Sequence, residues 1–218
     1  LFRTTFQNSL SLEAIKDQKQ SSISVNKTDK NSIDKAVETL MINVNSSEVD
    51  EANDISKKQP SEIFKKGDLE ADLNLMYDKL NGFNDYVKSN HKNIIIEAAV
   101  LDHEKNTSHI MNSNGVDFEV NKGIYGFSPM FTAKDGTKTS SFNYSYFSTL
   151  KLDKEIKDKA YISELLTQSE EQVNTHPIKD KFVGDVIVTP HCLSGFLSFL
   201  EYSISDGSLI SGTSIYKD

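Results

Sequence analysis

The heptapeptide His103-Glu104-Lys105-Asn106-Thr107-Ser108-His109 packs more potential chemistry into a few positions than any other stretch of this 218-residue chain. Two histidines around a glutamate are the raw material of a zinc peptidase. In an HExxH helix the histidines lie four apart on one face, so both ring nitrogens reach one metal beside the glutamate base. Here they lie six apart, about 120° round a helix and off a single metal-facing side. On an extended strand they would share a face but stand about 20 Å apart. Only a turn at Asn106 would join them, and the plainer reading is two exposed polar residues of a hairpin. His191-Cys192 is a second candidate, a thiol beside a base. A nucleophilic thiolate needs a lowered pKa and a base within hydrogen-bond reach. A helix start after Pro190 would supply the first, but adjacent side chains diverge, so Cys192 reads more simply as a small buried hydrophobe. His91 and His176 lie in polar connections and read as solvated. The acidic runs Glu48–Asp54 and Glu170-Glu171 read as solvated faces or loops. The stripe Phe142, Tyr144, Tyr146 could stack a ligand, and is expected instead to pack a sheet face. No GxGxxG, GxxxxGK[ST] or GxSxG pattern occurs.

Composition narrows the classes. Lysine and arginine total 24 against 32 aspartates and glutamates, a formal charge of −8. That argues against a general binder of the nucleic-acid backbone, which needs a basic face. A single cysteine, Cys192, excludes an internal disulfide and any cysteine-rich zinc site. The longest apolar run, Ile94–Leu101, is broken by Glu97 and falls well short of the ~20 residues that span a bilayer. No membrane segment or signal peptide is read, and the expected compartment is cytoplasmic. The chain starts without Met and ends just after Gly212-Thr213-Ser214, so a piece of a longer protein is expected.

The elements that would position these residues follow from periodicity. Strands are expected over Thr4–Leu12 and Ser22–Val25. Ile33, Ala36, Val37, Leu40, Met41 and Val44 mark one helical face, with Asn31 or Ser32 as its cap. Asn45–Pro60 is an exposed connection. Leu69, Leu73, Met76, Leu80, Phe83 and Val87 predict a helix over Asp68–Lys88, weakened locally by Gly82. The period then changes to two. Asn93–Leu101, Phe118–Met130 and Thr137–Leu150 alternate, separated by the turn signals Asn112-Ser113-Asn114-Gly115 and Asp135-Gly136, and predict an antiparallel meander. A helix over Lys154–Gln172, a strand over Phe182–Val188 and a helix from Pro190, closed by Ser205-Asp206-Gly207, complete the reading. An antiparallel sheet flanked by helices is the α+β class.

Four segments in this order resemble one family, the TldD/PmbA proteins (TldD/TldE, "modulator of DNA gyrase"). They are SSISVNKTDKNSIDKAVETLM (Ser21–Met41), VLDHEKNTSHIMNSNGVDFE (Val100–Glu119), SSFNYSYFSTL (Ser140–Leu150) and VGDVIVTPHCLSGFLSFLEYSISDGSLISGTS (Val183–Ser214). The resemblance covers most of the chain, and residues 1–20 match least. It implies an N-terminal α+β domain over 1–182 and, over 183–218, the start of a C-terminal domain.

The family has two branches. One resembles a metalloprotease, with an HExxxH helix directly after the strand and proline that here are Val183–Pro190. The other lacks that motif and is thought to pair with the first. With Pro190 and Gly207 as anchors, Ser198 falls at the first histidine, Phe199 at the glutamate and Ser203 at the second histidine. Serine is a poor zinc ligand and phenylalanine cannot act as a base. The resemblance is therefore to the PmbA/TldE-like branch, with no catalytic residue and no metal ligand in this chain. It implies that zinc belongs to a TldD-like partner, that the chain pairs with that subunit or with itself, and that small or unfolded peptides are the substrates. Neither nucleic acid nor membrane is an expected partner. The alternative it carries is a stand-alone regulator of DNA gyrase or a similar enzyme, with no peptidase role. A self-contained peptidase would need a further C-terminal part to supply its site.

Overall fold

The computed structural model describes residues 2–178, 180–181 and 183–217, with the side chain of His191 outside that description. The chain divides into two compact units, Leu1–Asn174 and Thr175–Asp218. The first opens with a hairpin of strands β1 (Leu10–Lys16) and β2 (Lys19–Val25). Its two-residue turn places Asp17 and Gln18 at φ 51° and 59°. Both are left-handed, as a primed hairpin turn demands, yet neither residue is the Asn or Gly that advertises such a turn. The first strand therefore lies later than the expected Thr4–Leu12. Helix α1 (Lys30–Ser46) follows and buries Ala36, Leu40 and Val44, one stripe at fourth-residue spacing. Its cap is Asp29, whose carboxylate accepts from Ser32 N–H at 3.1 Å, rather than Asn31 or Ser32.

Strand β3 (Glu62–Lys66) was not legible as a strand; all five residues are exposed. Helix α2 (Leu73–Asn90) is capped by Asp72, which accepts from Leu75 N–H. It starts five residues after the expected Asp68, because residues 67–69 are held elsewhere. There Gly67, at φ 77°, crosses Gly123 so closely that a Cβ on Gly123 would lie 1.8 Å from the Asp68 carbonyl oxygen.

The meander is present, with longer strands. β4 (Ile94–Met111) and β5 (Asp117–Asp135) pair antiparallel along nearly their full lengths. Asn112 closes their connection, its side chain accepting from Asn114 N–H and Val116 N–H, with Gly115 at φ 89°. A register shift between Ile96 and Ala98 leaves Glu97 unpaired. That bulge decides which side chains face inward: Ile94 and Ile96 before it, Leu101 and His103 after it. Without it the strict period of two would turn Asp102 into the core.

The third strand of the meander is broken into β6 (Lys138–Thr139), β7 (Asn143–Tyr144) and β8 (Phe147–Thr149). All three pair antiparallel with β5, and β3 pairs parallel with it over Phe118–Lys122. β5 is thus central, with β4 along one side and four short strands in succession along the other. The predicted helix over Lys154–Gln172 is a 3₁₀ turn at Ile156–Asp158 and then α3 (Ile162–Glu171). Ala160 and Tyr161 at φ 50° and 56° interrupt it, a conformation no sequence period reveals. The core lies between the sheet and helices α2 and α3: Phe83, Val87, Phe127, Phe131, Phe147, Ile156, Ile162 and Leu166 form one buried cluster. This is the expected α+β architecture, though β3 makes the sheet mixed.

In residues 175–218, helix α4 (Pro190–Ile204) begins at Pro190 as expected, and Ser205 ends it. Ser205 also caps a short further helix, α5 (Asp206–Ile210), accepting from Ser208 N–H. Of the expected strand Phe182–Val188, Phe182 lies outside the described residues. Val183–Val188 form no ladder, and Val183 and Ile187 stand almost fully exposed, so their apolar pattern has no sheet to join.

Candidate functional site

The strand β4 settles the geometry of the His103–His109 segment. Asn106 is in mid-strand, paired with Lys122, and makes no turn. The two histidines share the inward face and are separated by about 20 Å of extended chain. His103 is half-buried rather than an exposed hairpin residue. Its ring packs on Tyr125 with centroids 4.6 Å apart, and Nε2 lies 2.7 Å from the Asp68 carbonyl oxygen, to which it donates. The Tyr125 hydroxyl accepts from Asp72 N–H at 3.5 Å. This pair therefore anchors residues 68–72 to the sheet. His109 is exposed. Among the described residues no group of three or more His, Cys, Asp or Glu side chains comes together as a metal site.

His91 is also not the solvated residue expected; it is 7% exposed. It ends α2, its Nδ1 lies 2.9 Å from a Glu170 carboxylate oxygen, and its Nε2 lies 3.4 Å from the Tyr86 hydroxyl. Glu170 is thereby drawn from the expected solvated face into a contact between α3 and the end of α2, and its other oxygen accepts from Asn93 N–H at 3.4 Å. Glu171, His176 and the Glu48–Asp54 acids are exposed.

The aromatic stripe is inverted. Phe142, Tyr144 and Tyr146 are 52–70% exposed, and the alternate residues face inward. Phe147 packs on Phe127, and Ser145 donates to the Ala160 carbonyl oxygen. The inner face had room for one ring and a small residue that answers a polar backbone group. Together with Ile95, Val100 and Met130, these exposed rings leave the outer sheet face rich in apolar surface. Asp102 sits on that outer face, opposite Gly126. Partial burial, reinforced by the neighbouring Glu104 charge, raises its carboxyl above the usual aspartate value.

The helix that the family resemblance singles out is α4. Ser198 is exposed. Phe199 is 59% exposed and offers neither proton acceptor nor ligand. Ser203 is buried, donates to the Phe199 carbonyl oxygen at 2.8 Å, and its own carbonyl accepts from Ser214. With one hydroxyl tied to the backbone and no carboxylate or imidazole at these positions, they do not fit a zinc site. Cys192 is exposed in the first turn, where its backbone N–H bonds Thr189, and is not the buried hydrophobe expected. The apolar residues of α4 cover more than half of its circumference, and Ser194, Ser198 and Glu201 occupy the remaining side. Leu193, Phe196, Leu197, Phe199, Leu200, Tyr202 and Ile204 are each 45–63% exposed.

The first unit also carries a groove of about 670 Å³, lined by Lys66, Gly67, Lys122, Ile124, Ser148, Thr149, Leu150, Lys151 and Asp153. It lies where β3 and β8 both end, and sequence reasoning missed it because β3 was not legible.

No protein-family model matches the chain, and no curated protein matches it at a significant level. Solved structures do. The fold is similar to that of TldE from Thermococcus kodakarensis, with TM-score 0.64 and 16% identity over 93% of this chain and 46% of that one. It is similar also to a protein of Bacteroides thetaiotaomicron described as a proposed modulator of DNA gyrase, with TM-score 0.60 and 16% identity over 92% of this chain and 47% of that one. The chain thus spans about half the length of each. Among the described residues no helix is long and apolar enough to cross a membrane. The fold of this chain is that of TldE and of the proposed gyrase modulators.

Proposed function

We propose that this chain is a TldE-like, non-zinc-binding subunit that works with a TldD-like HExxxH subunit in the cytoplasm to degrade small or unfolded peptides. The observation that carries the reading is α4. On the family resemblance, the metalloprotease motif positions fall at Ser198, Phe199 and Ser203, and none of these residues can activate water. The same helix exposes a broad apolar face, from Leu193 and Phe196 to Leu200 and Ile204. An exposed apolar face of that width fits burial against another polypeptide, with the Ser194, Ser198 and Glu201 side left to water. In this arrangement the chain shapes the substrate chamber, and the partner supplies the metal.

The test is co-expression with the HExxxH-bearing subunit of the same cell. A stable complex, with about one zinc per heterodimer and peptide cleavage only when both chains are present, is the expected result. Stoichiometric zinc in this chain alone, or no complex at all, would overturn it. The gyrase-regulator reading rests on the description of the Bacteroides protein. It requires the purified chain to alter gyrase supercoiling without any HExxxH partner.

A further inference from the structure

The groove between β3 and β8 has a charge pattern at odds with the rest of the chain. The protein carries eight excess negative charges, yet three ammonium groups, Lys66, Lys122 and Lys151, line one depression. None of the three has a carboxylate within ion-pair distance among the described residues. The one acidic lining residue, Asp153, faces a fourth lysine, Lys159, at 4.0 Å, and Lys159 also donates to Thr149 at 3.3 Å. Lys66 and Lys122 are direct register partners in the parallel β3–β5 pair, so their side chains leave the same face side by side. Like charges directly opposite each other destabilise a sheet. Among the described residues no acid stands within ion-pair distance of this pair.

The floor of the groove is built for close approach. Gly67 and Gly123 cross in backbone contact, and a Cβ on Gly67 would meet the Gly123 carbonyl oxygen at 2.1 Å and the Leu150 side chain at 3.2 Å. The volume, about 670 Å³, falls in the range of small-molecule sites. No guanidinium takes part; Arg3 is the single arginine of the chain. Arginine's planar fork matches carboxylate and phosphate edges alike, whereas lysines act as compact, rotatable point charges, whose attraction is greatest for the most densely charged anion.

We propose that this groove binds a small ligand through a phosphate-type anion, with Lys66, Lys122 and Lys151 converging on its oxygens. The site is independent of α4 and of any peptidase role.

The experiment is calorimetric titration of the whole chain at low salt with inorganic pyrophosphate, and separately with citrate, which carries similar charge on planar carboxylates. The expected result is saturable pyrophosphate binding that weakens as salt rises, with citrate at least about tenfold weaker. In the double variant Lys66→Gln/Lys122→Gln the affinity falls at least about tenfold, and its ligand-free melting temperature is no lower than the parent's, because a repulsion has been removed. Lys65→Gln, on the opposite face of β3, leaves binding unchanged. Should the double variant fail to fold, Lys151→Gln alone decides, with the same loss expected. Absence of saturable binding, citrate binding as tightly as pyrophosphate, or undiminished affinity in the lysine variants would each overturn the proposal.

Discussion

The inner face of the β4–β5 sheet and helix α4 are both rich in large apolar side chains, and they meet opposite fates. Phe127 and Phe131 are wholly buried, with Phe83 edge-on to Phe127 at 5.2 Å and α3 closing over them. Phe196 and Phe199 of α4 are 63% and 59% exposed. Hydrophobic composition alone therefore does not place a residue inside. Burial needs a second apolar surface of matching shape, which α2 and α3 supply to the sheet. The difference marks the first region as self-sufficient, and the second as the one the proposed pairing would cover.

Four substitutions would break or sharpen this contrast. The largest effect is expected at Phe127→Ala, which opens a cavity in the centre of the core and should cost about 3–5 kcal/mol in urea denaturation. A loss as small as that of a surface mutation would mean the cluster is not the stabilising core. Next is Gly123→Ala. Its added Cβ would strike the Asp68 carbonyl, a backbone atom with no room to retreat, and a loss of about 1–3 kcal/mol is expected from the forced shift. His91→Ala should cost about 1–3 kcal/mol, because it strips a partner from Glu170 and unties α3 from the end of α2. Thermal melts that leave H91A equal to the parent would exclude that latch.

The smallest effect on the chain's own stability, within about 0.5 kcal/mol, is expected for Leu197→Glu on α4. The same change should abolish capture by an HExxxH subunit. A destabilisation like that of Phe127→Ala would show instead that α4 is already packed.

A pH measurement adds to this set. The Asp102 carboxyl is raised in the folded chain, so its protonated form is the one that folding favours. Its contribution is complete below the unfolded aspartate pKa and is lost as pH rises through the raised value. Asp102→Asn should therefore be slightly more stable than the parent at pH 7, and the two should converge in acid. Greater stability of the parent at neutral pH would reverse the assignment.

Much of the fold could be read before any coordinates. α1 and α2 follow from third- and fourth-residue spacing, and the Asn112–Gly115 turn and the alternation around it predict the long hairpin. What escaped has local causes. The Asp17-Gln18 turn uses no signal residue. β3 is short and exposed on both faces. Ala160 and Tyr161 break a helical pattern through backbone angles that composition does not reveal. The aromatic stripe of Tyr144 and Tyr146 could not be assigned a face, because a period of two says which residues share a side but not which side meets the core.

The candidate sites divide in the same way. That Ser198, Phe199 and Ser203 cannot serve as a ligand–base–ligand set is a matter of residue type, and the sequence alone determines it. It also determines the α+β class, the acidic balance and the lack of an internal disulfide. Only the tertiary structure decides that His103 anchors a loop, that His91 meets Glu170, and that Lys66 lies beside Lys122. Those contacts join residues 35 to 79 positions apart, and the bulge at Glu97 and the parallel docking of β3 select them. Residue types set what each group can do, and strand register sets which groups it does it with.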